Sequence, residues 1–227
     1  MRAMILAAGR GERMRPLTDR LPKPLLEVGG KPLIVWHLER LAQAGIRDIT
    51  INHAWLGEAI EAYLGDGSRW GVRLSYSAEG TALETAGGIT KALPLLGDHP
   101  FLVINGDIWC DWQPQAATAL ATQLVQEDKQ AWLLLVDNPP HHPKGDFRLL
   151  DDGIVQPPGQ AHALTFAGIG IYRPSLFTGL EVGQPARLAP LLVTAMARSA
   201  IVGSHHTGRW VDVGTPERLT ELDASLQ

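Results

Sequence analysis

This 227-residue sequence predicts an α/β fold with a mixed, mainly parallel central sheet, and three observations predict it. Short apolar runs alternate with amphipathic stretches through the first half of the chain, the pattern that βαβ units leave in a sequence. Two of those runs end in glycine-containing loops: Met1 to Ala7 leads into "AGRGERMR", and "FLVIN" at 101–105 into "GDIWCD". The second half is less regular, and a hairpin signal followed by a further strand makes the sheet mixed.

Met1 to Ala7 reads as a buried strand, and the loop from Ala8 to Gly30 is too punctuated by Gly and Pro to be a helix. "KPLIVWHLERLAQAG" follows as a helix, with Pro32 suited to its start, Ile34, Leu38, Leu41 and Ala42 on one face, and Gly45 as its stop. Next come a strand at 48–53, a helix at 56–64, an alternating strand at 72–77, a helix at 85–93 and the buried strand 101–105. A helix at 114–127 leads to the strand "AWLLLV", after which three prolines in five residues from Pro139 make "DNPPHHPKGDF" a loop. Residues 147–156 read as a hairpin turning at Asp151 to Gly153, and 164–172 as a further strand. A helix near 187–198, the strand "GRWVDVG" and a last helix capped by Thr215, with Pro216 behind it, complete the chain. No internal repeat or low-complexity linker divides it, so residues 1–227 are expected to form one domain.

Composition narrows the function classes. Hydrophobic residues make up 45% and charged residues 19%, the range of ordinary soluble globular proteins. A net charge of −4 offers no global attraction to nucleic acid, so any anion site must be a local concentration of Lys and Arg. No apolar run approaches membrane-spanning length, and a single cysteine, Cys110, cannot form an internal disulfide, in keeping with a cytoplasmic location. Neither nucleic acid nor membrane is an expected partner.

The loop after the first strand concentrates that positive charge. Gly9 and Gly11 let backbone N–H groups turn toward a ligand, forming a nest for phosphate oxygens, while Arg13 and Lys23 supply full charges. Met14 stands where a dinucleotide fingerprint would need its third glycine, and no P-loop pattern is present. At the second loop, Asp107 lies at the sheet's carboxyl edge, where a carboxylate can hold Mg²⁺. Asp212, between Val211 and Val213, needs a partner if it faces inward.

Taken together, "LAAGRGERMRPLTDRLPKPLLEVGGKPL", "NGD" and "WVDVGTP" resemble, in sequence and order, the signature of the sugar-1-phosphate nucleotidyltransferases, over nearly the whole chain. The resemblance implies a Rossmann-like three-layer nucleotidyltransferase fold that condenses a nucleoside triphosphate with a sugar 1-phosphate and releases pyrophosphate. It places Leu6, Ala7, Ala8, Gly9 and Gly11 along the nucleotide, Arg13 on the β and γ phosphates, and Lys23 at the α phosphate as catalytic groups. Asp107 and Asp212 would share Mg²⁺, the expected cofactor. Glu79, before "LETAGG", would accept a hydrogen bond from the base, with Thr85 beside it on the nucleotide; a carboxylate there serves uracil or guanine, and UTP is preferred. Asn105, Gly145, Asp146 and Gly168 fall where the family's sugar pocket is lined. A catalytically silent nucleotide-binding subunit is the rival of another class, and the retained Lys23, Asp107 and Asp212 speak against it.

One departure stands out. Many members carry a Glu-Lys-Pro after the hairpin whose lysine grips the sugar's phosphate, and here that stretch reads "IVQPPGQ" (154–160). Either Arg209, Lys144 or the metal takes over that phosphate, or the acceptor differs from the commonest sugars. The chain ends at Gln227 without the β-helix repeats of longer relatives, so a monomer or small homo-oligomer without acyltransferase activity is expected. The pairs His141-His142 and His205-His206 lack cysteine neighbours and helical spacing, and read as loop residues rather than zinc ligands. Of the 7 tryptophans, Trp109 beside Asp107 is the one expected to touch substrate.

Overall fold

Strand β1 (Arg2–Leu6) sends Ala3 and Ile5 to one side and Met4 to the other, and all three are fully buried. A strand buried on both faces needs cover on both, which is the condition for a three-layer molecule. In the computed structural model, which describes residues 1–159 and 162–227, that cover is provided by helices.

The chain continues through a small ribbon, β2 (Glu27–Val28) and β3 (Lys31–Pro32), into α1 (Leu33–Gln43), β4 (Asp48–His53), α2 (Gly57–Leu64), β5 (Arg73–Ala78) and α3 (Glu84–Leu96). Then follow β6 (Phe101–Asn105), β7 (Ile108–Cys110), α4 (Ala117–Gln126), β8 (Ala131–Val136), β9 (Arg148–Leu149) and β10 (Val155–Gln156). β11 (Thr165–Tyr172), α5 (Leu188–Met196), β12 (Ile201–His206), β13 (Trp210–Asp212) and α6 (Pro216–Ala224) close the order. The central sheet has seven strands in the order β12-β8-β11-β6-β1-β4-β5. β11 is antiparallel to both of its neighbours and the other pairings are parallel, so the sheet is mixed and mainly parallel, as the sequence predicts.

Alternation sorts the core into two faces. Ala3, Ile5, Ile49, Ile51 and Ile104 meet Leu38 and Leu41 of α1, Ile60 of α2 and Leu124 of α4. Met4, Val103 and Leu133 meet Ile89 of α3 and Leu192 of α5 on the other face. A third cluster, with Met14, Leu33, Trp109, Val213 and Leu222, packs the opening loop against the β7–β13 ribbon and α6.

This topology fixes where a ligand can bind. From β1 the chain runs outward through β4 and β5, then returns to pair β6 against the other side of β1. The strand order therefore reverses at β1, and the crevice beyond the carboxyl ends of β1 and β6 is the switch point where open α/β sheets take ligands. Leu6, Asn52 and Asn105 stand in register along that edge.

Two readings of the sequence change. His205 and His206 end the strand β12, paired with Leu135 and Val136 of β8, and are not loop residues. β11 is also not a regular strand: its register to β8 slips between Phe166 and Gly170. Gly168 adopts φ +76° there, with the Asn105 side chain so close that a Cβ would lie 2.6 Å from its Nδ2.

Candidate active site

At the switch point lies a cleft of about 520 Å³. Leu6, Ala7, Ala8, Gly9, Gly11, Arg13, Lys23, Glu79, Thr85, Asn105 and Asp107 line it, so the fold gathers most of the expected site residues into one cavity. The opening loop is shaped by Gly11, whose φ of +67° suits glycine and whose Cβ would lie 3.0 Å from Thr18 Cγ2. Thr18 donates from Oγ1 to the Gly11 carbonyl at 2.8 Å and holds the turn. Gly9 faces open space.

Charge is arranged along the cleft. Lys23 sits in a single 3₁₀ turn between Pro22 and Pro24, its side chain only 8% exposed, with Nζ 2.7 Å from Asp107 Oδ2. Such a buried ammonium needs a counter-charge, and Asp107, 43% exposed, supplies it while keeping Oδ1 free of partners among the described residues. Arg13 is exposed and forms no ion pair among the described residues, so it offers the cleft a free cation.

Glu79 is buried, 9% exposed, and both of its oxygens are engaged. Oε1 accepts from Asn52 Nδ2 at 2.6 Å, and Oε2 accepts from the Leu83 backbone N–H at 2.8 Å. Asn52 in turn accepts from the Ala7 backbone N–H through Oδ1 at 3.0 Å. This chain of contacts ties β1, β4 and the segment before α3 together at the cleft wall. Sequence reading missed Asn52, which sits inside an apolar strand with nothing local to mark it.

Asp212, Gly145, Asp146 and Gly168 do not line this cavity. Gly168 backs onto Asn105, and Asp146 is occupied by the Phe166 N–H at 2.8 Å and His142 Nε2 at 2.9 Å. Asp212 has the partner that an inward carboxylate requires: Arg218 Nη1 of α6 donates to its Oδ2 at 2.7 Å. The β7–β13 pairing brings the Val213 N–H to the Asp107 carbonyl at 3.0 Å, so both carboxylate residues stand at one end of that ribbon. Each keeps one oxygen without a hydrogen bond among the described residues, and two hard oxygen donors of this kind suit Mg²⁺.

Neighbouring residues correct other expectations. Trp109 is 5% exposed, edge-on to Trp36 with ring centroids 5.9 Å apart, and belongs to the core rather than the cleft. Arg209 is drawn away to the Ser225 carbonyl at 3.5 Å. His206, despite having no cysteine neighbour in sequence, meets Asp111 Oδ1 at 2.6 Å, and one ligand atom each of Cys110, Asp111 and His206 lies within 4.8 Å of the others. Burial pushes the Cys110 thiol up to about 11. The tail of "IVQPPGQ", Gln160, lies outside the described residues. Among the described residues, no helix is long and apolar enough to cross a membrane.

Comparison with known proteins gives four findings. The family pattern described as nucleotidyl transferase matches residues 2–227. The chain is 58% identical over 226 residues to N-acetylmuramate alpha-1-phosphate uridylyltransferase of Neisseria meningitidis serogroup B, covering 99% of this chain and 97% of that one. It is 31% identical to mannose-1-phosphate guanyltransferase of Hypocrea jecorina, with 96% of this chain against 62% of that protein's length. In structure it superposes on a candidate glucose-1-phosphate thymidylyltransferase of Bacillus anthracis with a TM-score of 0.85, over 100% of this chain and 95% of the other, at 22% identity, a likeness that shows the fold.

Proposed function

The chain belongs to the nucleotidyl transferase family, and from that premise we propose that it transfers the uridylyl group of UTP to N-acetylmuramate 1-phosphate, yielding the UDP-sugar and pyrophosphate. The observation that carries this reading is the 58% identity, spread over nearly both chains, to an enzyme named for that reaction. The guanylyl-transferring relative is more distant, at 31%.

The chemistry asks little covalent work of the protein. A phosphate oxygen of the acceptor attacks the α phosphorus, the new P–O–P bond forms as the α–β bond breaks, and the electron pair leaves with pyrophosphate. The attacking phosphate is already anionic at neutral pH, so no general base is needed. The triphosphate would lie along Ala7 to Gly11, whose backbone approaches it closely, with Arg13 on its far phosphates. Lys23 would turn from Asp107 to the α phosphate and hold the charge that develops there. Asp107 and Asp212 would hold Mg²⁺, which when bound offsets phosphate charge and leaves the reacting groups in line. Asn105 with Gly168, and the loop carrying Gly145 and Asp146, would receive the sugar. A cytoplasmic setting belongs to the same proposal.

A pyrophosphate-release assay of UTP, GTP, CTP and dTTP against a panel of sugar 1-phosphates tests it. Selective turnover of UTP with N-acetylmuramate 1-phosphate is expected. Selective turnover of GTP with mannose 1-phosphate would replace the substrates and leave the reaction class standing.

A further inference from the structure

Arg218 uses only part of its guanidinium. Nη1 donates to Asp212 Oδ2 at 2.7 Å and to His141 Nε2 at 2.8 Å, while Nε and Nη2 have no hydrogen-bond partner among the described residues. A guanidinium carries five N–H donors, so three of them meet no protein acceptor, on a side chain only 18% exposed. The Nε and Nη2 edge presents two parallel N–H groups, a fork matching the two oxygens of a carboxylate or phosphate.

Nη2 lies behind Gly214 at the cleft wall. Gly214 lines the cleft, and a Cβ there would stand 2.5 Å from Arg218 Nη2. Gly214 is not among the glycines with positive φ, so space rather than backbone conformation calls for glycine at this position. Arg218 itself stands behind that wall and does not line the cavity, and a side chain at 214 would press on its Nη2. His141 adds a second donor. Its Nε2 lies 2.8 Å from Arg218 Nη1 and 3.4 Å from Asp212 Oδ2; accepting from Arg218, which can only donate, leaves Nδ1 of this 40% exposed side chain as the ring's donor. The sequence supplies the need: no lysine stands in 154–160 to take an anionic group of the acceptor.

We propose that Arg218, assisted by His141, is the acceptor's anion-binding group, taking a carboxylate or phosphate oxygen pair of the sugar beside Asp212. The inference rests on the function proposed above, under which the acceptor carries both candidates: its 1-phosphate and the carboxylate of its lactyl ether. Asp212 anchors Nη1 and thereby orients the fork. Replacing arginine by lysine keeps the charge but loses the fork.

Steady-state kinetics of Arg218→Gln, Arg218→Lys and His141→Gln with saturating UTP test it, on N-acetylmuramate 1-phosphate and N-acetylglucosamine 1-phosphate in parallel. Arg218→Gln should raise the acceptor KM at least tenfold and leave the KM for UTP within twofold; Arg218→Lys should recover part of the loss, and His141→Gln should raise the same KM by a smaller factor. If the carboxylate is the ligand, only the muramate acceptor is affected; if the phosphate is, both acceptors weaken together. An unchanged acceptor KM, or a fall in kcat and melting temperature with no selective rise in that KM, would overturn the inference and leave Arg218 as a structural partner of Asp212. Should the wild type use neither acceptor, the proposed function fails separately, and the same comparison on whichever sugar 1-phosphate it does accept decides the role of Arg218.

Discussion

Lys23 Nζ lies 2.7 Å from Asp107 on a side chain almost without solvent, so its charge is available to a ligand only by exchange with that carboxylate. If it stabilises the α phosphate in the transition state, Lys23→Ala should lower kcat by about 100- to 1,000-fold, near 3 kcal/mol, with a smaller change in the KM for UTP. A variant altered in KM alone would make Lys23 a uniform binder. Asp212→Asn carries the companion expectation: a metal-holding carboxylate should cost orders of magnitude in kcat, and a folded variant with near-normal kcat removes Asp212 from the site. Glu79 calls for a different reading. A carboxylate whose two oxygens already accept from Asn52 and Leu83 acts first as a brace of the cleft wall. Glu79→Ala strands two donors in a buried place and should destabilise the fold by about 2 to 4 kcal/mol, read from the urea midpoint. The KM for UTP should rise as well, because Asn52 loses the contact that fixes the acceptor of the Ala7 N–H. Unchanged stability in that variant would return Glu79 to the role of a base reader.

At the scale of elements, legibility followed locality. The strands β1, β4, β6 and β8 and the helix α1 were readable because apolar runs and Pro and Gly punctuation act within one segment. The cap of α6 was readable for the same reason: Thr215 precedes Pro216, and its Oγ1 accepts from the Arg218 N–H at 3.4 Å. β12 was not, because "IVGSHH" loses its apolar pattern after two residues and owes its strand state to β8 alongside it. The slip in β11 was equally hidden, since it answers to Asn105, 63 positions earlier in the chain by the two residue numbers, 168 − 105. α6 carries a further consequence. Its cap starts the turn that presents Arg218 to Asp212, so Thr215→Ala should cost about 1 kcal/mol of stability and raise the acceptor KM more than the KM for UTP. Thermal unfolding and steady-state kinetics on the one variant check both parts, and equal changes in the two KM values would separate the cap from the site.

For the molecule as a whole, the site was legible where its parts sit at the ends of recognisable strands, and illegible where distant segments complete one another, as Asn52 does Glu79 and His141 does Arg218. The same long-range packing creates a stability term that the sequence does not advertise. His37 of α1 is 3% exposed, and its Nε2 has no hydrogen-bond partner among the described residues. Burial, then the neighbouring Arg40, hold its pKa down at about 4, against the opposing pull of a backbone hydrogen bond with Ile108 and the charge of Asp107. In the unfolded chain the same imidazole takes up its proton near 6.5. Between those values the unfolded state binds more protons than the folded one, so the contribution is intact above pH 6.5 and is lost as pH falls toward 4. Its size is about 1.4 kcal/mol per pH unit across that window, about 3 kcal/mol in all. Urea unfolding of the wild type and His37→Gln at pH 7.5 and pH 4.5 measures the effect. The substitution should cost stability at pH 7.5, where it disturbs a well-packed ring, and cost about 2 to 3 kcal/mol less at pH 4.5, where the wild type must bury or expel a charge. Parallel losses in the two proteins over that range would mean that His37 keeps an ordinary titration and that acid acts elsewhere.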